Sequence, residues 1–175
     1  IDFKEFEKAA KELSEFLPPT PLIKNDWLSS KYGANIYLKL ENLQPVGSFK
    51  LRGATNKIAS LSDAEKKQGV LAVSAGNHAQ GVAWAAKKFG VKATIIMPKP
   101  SPLVKILNTE SLGAEVILEG ENVDESFEFG KEYLKKNNQV FVHPFCDPLV
   151  IAGQGSIGFE LKNQLPKIDF IFGSI

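Results

Sequence analysis

Between Val70 and Phe172 the sequence alternates short apolar runs with longer segments of helical period, and few folds accept that pattern. The runs are Val70–Ser74 (VLAVS), Ala93–Met97 (ATIIM), Ala114–Leu118 (AEVIL), Val140–His143 and Ile168–Phe172. Each is too short for a helix and largely apolar on both sides, as strands buried on two faces must be. Between them, Asn77–Phe89 sets Val82, Ala85, Ala86 and Phe89 on one side and is closed by Gly90. Pro102–Leu112 has Ser101 as its expected cap and Gly113 as its stop, and Val123–Lys136 ends in lysines, as the helix dipole favours. Leu149–Leu165 supplies one more helix. Parallel βαβ units with helices on both faces are the architecture this predicts, an α/β fold.

The N-terminal part is less regular. Asp2–Leu17 reads as a helix with Phe3, Phe6, Ala10, Leu13 and Leu17 in one apolar stripe, ended by Pro18-Pro19. PTPLI reads as an extended connector and Asn35–Leu40 as a strand, followed by the loop ENLQPVG. A helix is expected from about Phe49 to Leu61, then a short helical piece capped by Ser62 and Glu65. Linkers are expected at Gln44–Gly47, Ser62–Gly69 and His143–Pro148, and no internal repeat is present.

Composition excludes several function classes. An apolar fraction of 43%, a charged fraction of 23% and a net charge of +1 describe a soluble globular chain with no electrostatic case for nucleic acid. The single cysteine, Cys146, rules out an intramolecular disulfide framework and fits a reducing compartment; it reads as a buried small residue. The opening IDFKEFEKAAKE is charged throughout, without a secretory signal, and no apolar run has the length of a membrane span. A cytoplasmic protein is expected. The chain lacks an initiator Met and stops directly after IDFIFGSI, which reads as part of a longer protein.

Two stretches carry candidate chemistry. In PVGSFKLRG, Lys50 stands between Phe49 and Leu51-Arg52 where a helix begins, with Gly47 as a flexible turn and Ser48 as a candidate cap. Positive potential at a helix start favours a neutral, nucleophilic amine, the form needed for a Schiff base with an aldehyde cofactor; a solvated surface lysine is the plainer alternative. The second stretch, Ser74-Ala75-Gly76-Asn77-His78, leads from the end of a strand straight into a helix. In open α/β sheets ligands bind at such places, where free N–H groups can hold a carboxylate; a simply capped helix is the alternative. His78 by itself reads as a helix-face residue bonded to backbone. Two histidines give no zinc site of the usual spacing, so no metal is expected, and neither GxGxxG nor GxxxxGK[ST] occurs.

Taken together, GSFKLRGA, SAGNHAQGVA, PKPSPLVK, GAEVIL and HPF…AGQGSIGFEL occur in the order seen in threonine dehydratases and serine racemases. The chain resembles these pyridoxal-phosphate enzymes, of the tryptophan-synthase-β-like fold, over nearly its whole length. The resemblance implies that Lys50 forms the Schiff base with pyridoxal 5'-phosphate and moves the Cα proton. It places Phe49 beside the cofactor ring, Asn77 on the cofactor's phenolic oxygen, and Ser74, Ala75, Gly76, Asn77 and His78 around the substrate carboxylate. It also implies a parallel-sheet, two-lobed fold, with 1–70 in a large lobe, 71–146 forming a small α/β lobe and 147–175 returning to the large one. The implied reaction is β-elimination of L-threonine, and of L-serine, to a 2-oxo acid and ammonia, by a homo-oligomer.

Three departures qualify the resemblance. Ala75 stands where serine racemases carry a second serine that serves as acid/base on the opposite face of Cα, which favours elimination over racemisation. HPFC replaces the commoner HPFD at Cys146. The glycine-rich phosphate cradle that follows the strand matching Ile168–Phe172 is represented only by Gly173-Ser174-Ile175, so the fold is expected to be incomplete at the C-terminus. The 175-residue chain alone is therefore expected to hold cofactor weakly and to be inactive. Serine racemase or serine dehydratase activity, and a non-catalytic α/β module that senses an amino acid, are the alternatives. Cysteine synthases rank lower, because they usually have threonine where His78 stands.

Overall fold

The computed structural model describes residues 1–173. Helix α1 (Phe3–Leu13) is capped by Asp2, whose carboxylate accepts from the Lys4 N–H. It ends earlier than its apolar stripe suggests. The Ser14 hydroxyl donates to the Lys11 carbonyl at 2.6 Å, and the chain turns so that Leu17 buries beside Leu13. The buried face is set by Ala9 and Leu13, while Phe3 is exposed and packs its ring against Phe159.

Strand β1 (Leu22–Lys24) lies in the expected connector and pairs antiparallel with β2 (Tyr37–Lys39), Leu22 opposite Lys39. Between them α2 (Asp26–Tyr32), which has no buried residue, is capped by Asn25 and ended by Gly33 at φ +64°. A 3-10 turn at Glu41–Leu43 precedes α3 (Lys50–Ala59). The short helical piece expected after Ser62 is α4 (Asp63–Gln68), which fills most of the Ser62–Gly69 linker, with the Ser62–Glu65 capping box formed in both directions.

The alternating part then appears as read: β3 (Val70–Val73), α5 (Asn77–Lys88), β4 (Ala93–Met97), α6 (Leu103–Ser111), β5 (Glu115–Leu118), α7 (Val123–Asn137), β6 (Val140–Phe141) and α8 (Pro148–Gln164). The four strands are parallel in the order β5-β4-β3-β6, with Val70 opposite Ala93 and also opposite Val140. Side chains alternate across the sheet as period two requires. Val70, Ala72, Ile95 and Met97 pack toward α5 and, behind it, α3; Leu71, Val73 and Ile96 pack with Phe127, Tyr133 and Leu134 of α7. The chain leaves β3 toward β4 on one side and returns to β6 on the other. The carboxyl end of β3 is therefore a switch point, where α/β sheets open a crevice.

Two expectations fail here. Ser101 does not cap α6: its N–H donates to the Pro98 carbonyl at 3.0 Å and its hydroxyl is buried without a partner, leaving Pro102 as cap residue. Ile168–Phe172 joins no sheet among the described residues; Phe170, Ile171 and Phe172 are exposed and line an open groove with Tyr37 and Leu38. A buried strand needs a ladder partner on its N–H and C=O groups, and this run meets none among those residues. Ser174 and Ile175, expected to begin a phosphate loop, lie outside the described residues.

Helix α8 returns across α3 at very short range. A methyl group on Gly153 would sit 2.7 Å from the Arg52 carbonyl oxygen and from the Gly53 Cα; one on Gly53 would meet the Val150 carbonyl oxygen at 2.7 Å. These are backbone atoms that cannot swing aside, so glycine at both positions sets the separation of the two helices.

Candidate active site

Lys50 is the first residue of α3, and the structure fixes it from three directions. Its N–H donates to the Ser48 hydroxyl at 3.2 Å, so Ser48 acts at the helix start as expected, although Phe49 is the cap residue. Behind it, α5 lies directly on the first turn of α3: a methyl on Gly81 would come within 3.3 Å of the Lys50 carbonyl oxygen and the Leu51 nitrogen. Two residues on, Arg52 is 1% exposed and is gripped from both sides. Its guanidinium donates to both carboxylate oxygens of Glu41 at 2.8 Å, to Glu160 at 2.6 and 2.9 Å, and to the Ser156 hydroxyl at 3.2 Å. Burial alone would push the Glu41 carboxyl up, but hydrogen bonds from Arg52 and Thr20 outweigh it and hold that carboxyl below its ordinary value.

The Lys50 side chain leaves this frame half-buried. Its Nζ lies 5.4 Å from the centroid of the Phe49 ring and donates to the Pro144 carbonyl at 3.1 Å. Among the described residues no carboxylate pairs with it, in contrast to Lys39, Arg52 and Lys57.

The second stretch sits at the carboxyl end of β3. The Ser74 N–H still donates to the Ile96 carbonyl of β4, and its hydroxyl accepts from the Gly76 N–H at 3.2 Å. That bond leaves α5 without a side-chain cap, so its first N–H groups have no acceptor within the helix. The capped-helix alternative is thereby removed. A methyl on Gly76 would meet nothing within 4 Å, and Asn77 is exposed, so the helix start opens outward. Ala75 is half-buried, packed against the main core.

His78 is buried, at 3% exposure, and bonded to backbone as read: Nε2 lies 2.9 Å from the Val142 carbonyl oxygen. A carbonyl only accepts, so Nε2 carries the proton and Nδ1, buried without a partner, presents a bare lone pair. Burial, aided by the nearby charge of Lys50 and by His143, lowers its pKa to about 4. A histidine held neutral in the fold contributes stability that is fully present above about pH 6.5 and is lost as pH falls toward 4. Between pH 7.5 and 5.0 the expected loss from this group is about 2 kcal/mol. Urea unfolding at the two pH values, compared with His78→Gln, checks this: the variant should lose less by that amount.

The segment after β6 thus meets both stretches. Val142 receives His78 and Pro144 receives Lys50, across the crevice where the sheet order reverses. Neither carbonyl was visible as a site group in the sequence, since any residue type offers one. Ser74 and Asn77 are on the same rim but make no hydrogen bond to Lys50 or Phe49 among the described residues. Cys146 departs from expectation. It is exposed, in a turn whose N–H groups at Phe145 and Cys146 donate to His143 Nδ1 at 3.2 and 2.8 Å.

Lys50, with no carboxylate partner among the described residues, thus stands at a helix start beside the switch point of the sheet, and comparison with known proteins gives the family. The chain belongs to the family described as pyridoxal-phosphate dependent enzyme, which it matches over residues 13–175. It is 52% identical over 171 residues to the L-threonine ammonia-lyase of Thermotoga maritima, covering 98% of this chain and 43% of that protein. The processed form of threonine deaminase isoform 2 from Solanum lycopersicum superposes with a TM-score of 0.87 at 39% identity, over 94% of this chain and 47% of the other. Maize serine racemase gives a TM-score of 0.92 at 32% identity, over 96% and 51%. The chain spans about half the length of the curated relatives it matches.

The cofactor of this family is pyridoxal 5'-phosphate, and the residues present fit it. An amine without a carboxylate partner among the described residues suits an aldehyde, and an aromatic face stands beside that amine.

Proposed function

We propose that the protein is a pyridoxal-phosphate-dependent ammonia-lyase that converts L-threonine, and L-serine, to the 2-oxo acid and ammonia. The observation that carries this reading is the pairing of Lys50 and the α5 start through one segment, Val142–Pro144. Lys50 would hold the cofactor, with Phe49 against its ring and Asn77 at its polar edge. When bound, pyridoxal phosphate supplies the electron sink for the charge left at Cα. Lys50 Nζ takes the Cα proton. The N–H groups of the first turn of α5, with the Ser74 hydroxyl, bind the substrate carboxylate and orient Cα toward that amine. Ala75 offers only a methyl group and cannot deliver a proton to the opposite face, which favours loss of the β-hydroxyl over inversion.

The lobes 1–70, 71–146 and 147–175 belong to this proposal, supported by a parallel sheet drawn from residues between 70 and 141 and by the return of α8 onto α3 and α1. So does a cytoplasmic homo-oligomer acting on a free amino acid; no helix among the described residues is long and apolar enough to cross a membrane. The test is product analysis of the natural-length protein with pyridoxal phosphate and L-threonine or L-serine. Equal amounts of 2-oxo acid and ammonia support the proposal. D-serine as the main product would replace it with a racemase, and threonine binding without cofactor or turnover would replace it with a sensing module.

A further inference from the structure

His143 belongs to no step described above, yet it shapes the turn on which Lys50 rests. Its Nδ1 accepts two backbone hydrogen bonds, from Phe145 at 3.2 Å and from Cys146 at 2.8 Å. Both bonds require a lone pair on Nδ1, so this nitrogen is unprotonated and any ring proton is on Nε2. Three aromatic rings hold the imidazole in place: Phe145 edge-on at 4.6 Å, Phe141 edge-on at 5.7 Å and Phe127 at 5.9 Å. Burial keeps its pKa below the ordinary value, against the smaller opposite pull of Asp147. Beyond the turn, Asp147 accepts from the Leu149 and Val150 N–H groups at the start of α8 and pairs with Lys57 of α3 at 2.9 Å. The turn is thus pinned at both ends, and between the pins Pro144 directs its carbonyl to Lys50 Nζ.

We propose that His143 is a positioning residue: by accepting the Phe145 and Cys146 N–H groups it fixes the Pro144 carbonyl that sets the resting place of the Lys50 amine. The inference rests on the reading of Lys50 as the reactive amine only for its catalytic meaning; the geometry it claims stands without cofactor. Removing the acceptor leaves two N–H groups to find water, relaxes the turn and releases Lys50 from its carbonyl. Asparagine can restore the acceptor, because its side-chain oxygen habitually takes N–H groups two and three residues on.

The experiment uses the purified protein without cofactor, its His143→Phe and His143→Asn variants, and trace labelling of amines with acetic anhydride read by peptide mass mapping. Labelling of Lys50 should rise at least threefold in His143→Phe relative to the other lysines and return to within twofold of the unmodified protein in His143→Asn. Equal Lys50 labelling in all three proteins, or an asparagine variant that behaves like phenylalanine, overturns the proposal. Should His143→Phe fail to fold, nitrogen NMR of the unmodified protein decides: a neutral ring protonated on Nε2 supports it, and a proton on Nδ1 overturns it. Borohydride reduction with pyridoxal phosphate, run in parallel, separates this from the proposed function. No adduct at Lys50 together with His143-dependent labelling would refute the enzyme reading and leave the positioning role standing.

Discussion

In the natural-length protein Lys50→Ala should abolish turnover, with a fall of about 10³-fold or more, while the fold persists. The lysine is half-buried and bonds one neutral carbonyl, so its loss removes little packing and leaves one acceptor to water. Its expected chemical role, by contrast, has no substitute among its neighbours. Borohydride reduction in the presence of pyridoxal phosphate should place an adduct on the peptide carrying Lys50 in the unmodified protein and none there in the variant. Lys50→Arg sharpens the test. Arginine retains the positive charge and can still donate to Pro144, but its guanidinium does not form the adduct, so it should be as inactive as alanine. A Lys50→Arg protein retaining a tenth of the activity would show that charge and hydrogen bonding, not covalent chemistry, are what Lys50 contributes.

Arg52→Leu is expected to have the largest effect on stability, about 3–5 kcal/mol, because it leaves two carboxylates buried or nearly so without their main partner. Glu160 retains Lys39, and among the described residues Glu41 retains the Thr20 hydroxyl and Gln44. The pH dependence distinguishes this cause from simple loss of packing. In the unmodified protein the Glu41 carboxyl is held below its ordinary value, so its contribution is present above about pH 4.5 and is lost as pH falls through the lowered value. In the variant burial is unopposed by arginine and pushes the same carboxyl up, so acidification relieves the penalty. The stability gap between the two proteins, measured by urea unfolding, should therefore be widest near pH 7 and narrow toward pH 4.5. A gap constant across that range would assign the loss to packing.

How much of this was legible in the sequence depended on how local the cause was. Strands β3 and β4 were read closely because they are apolar on both faces and bounded by glycine, serine or proline. Their helices followed from period and stop residues, Gly90 and Gly113 both having positive φ. Helix α2 was invisible because DWLSSKY buries nothing and has no apolar period, and β1 because three residues after a proline carry no alternation. The cap at Ser101 and the strand at Ile168–Phe172 were sound by composition, but hydrogen-bond partners decided against both. At the site, Lys50, Phe49 and the Ser74–His78 turn were marked by residue type. Pro144, Val142 and the Glu41–Arg52–Glu160 cluster were not, since their significance lies in partners far away along the chain.

That distance has a kinetic meaning. Lys50 meets Pro144 across 94 residues, His78 meets Val142 across 64, and Arg52 meets Glu160 across 108. The β3–α5–β4 and β4–α6–β5 units close over 23 and 21 residues and can form early, whereas these contacts, like the β3–β6 pairing, close long loops and repay that entropy only when made. The setting of the Lys50 amine is therefore completed only when the return segment docks. During synthesis Lys50 and the start of α5 emerge before the Val142–Pro144 segment that meets them. A nascent chain with β3, α5 and β4 in place already has α5 against the first turn of α3, but the carbonyls that receive Lys50 Nζ and His78 arrive only when the return segment docks.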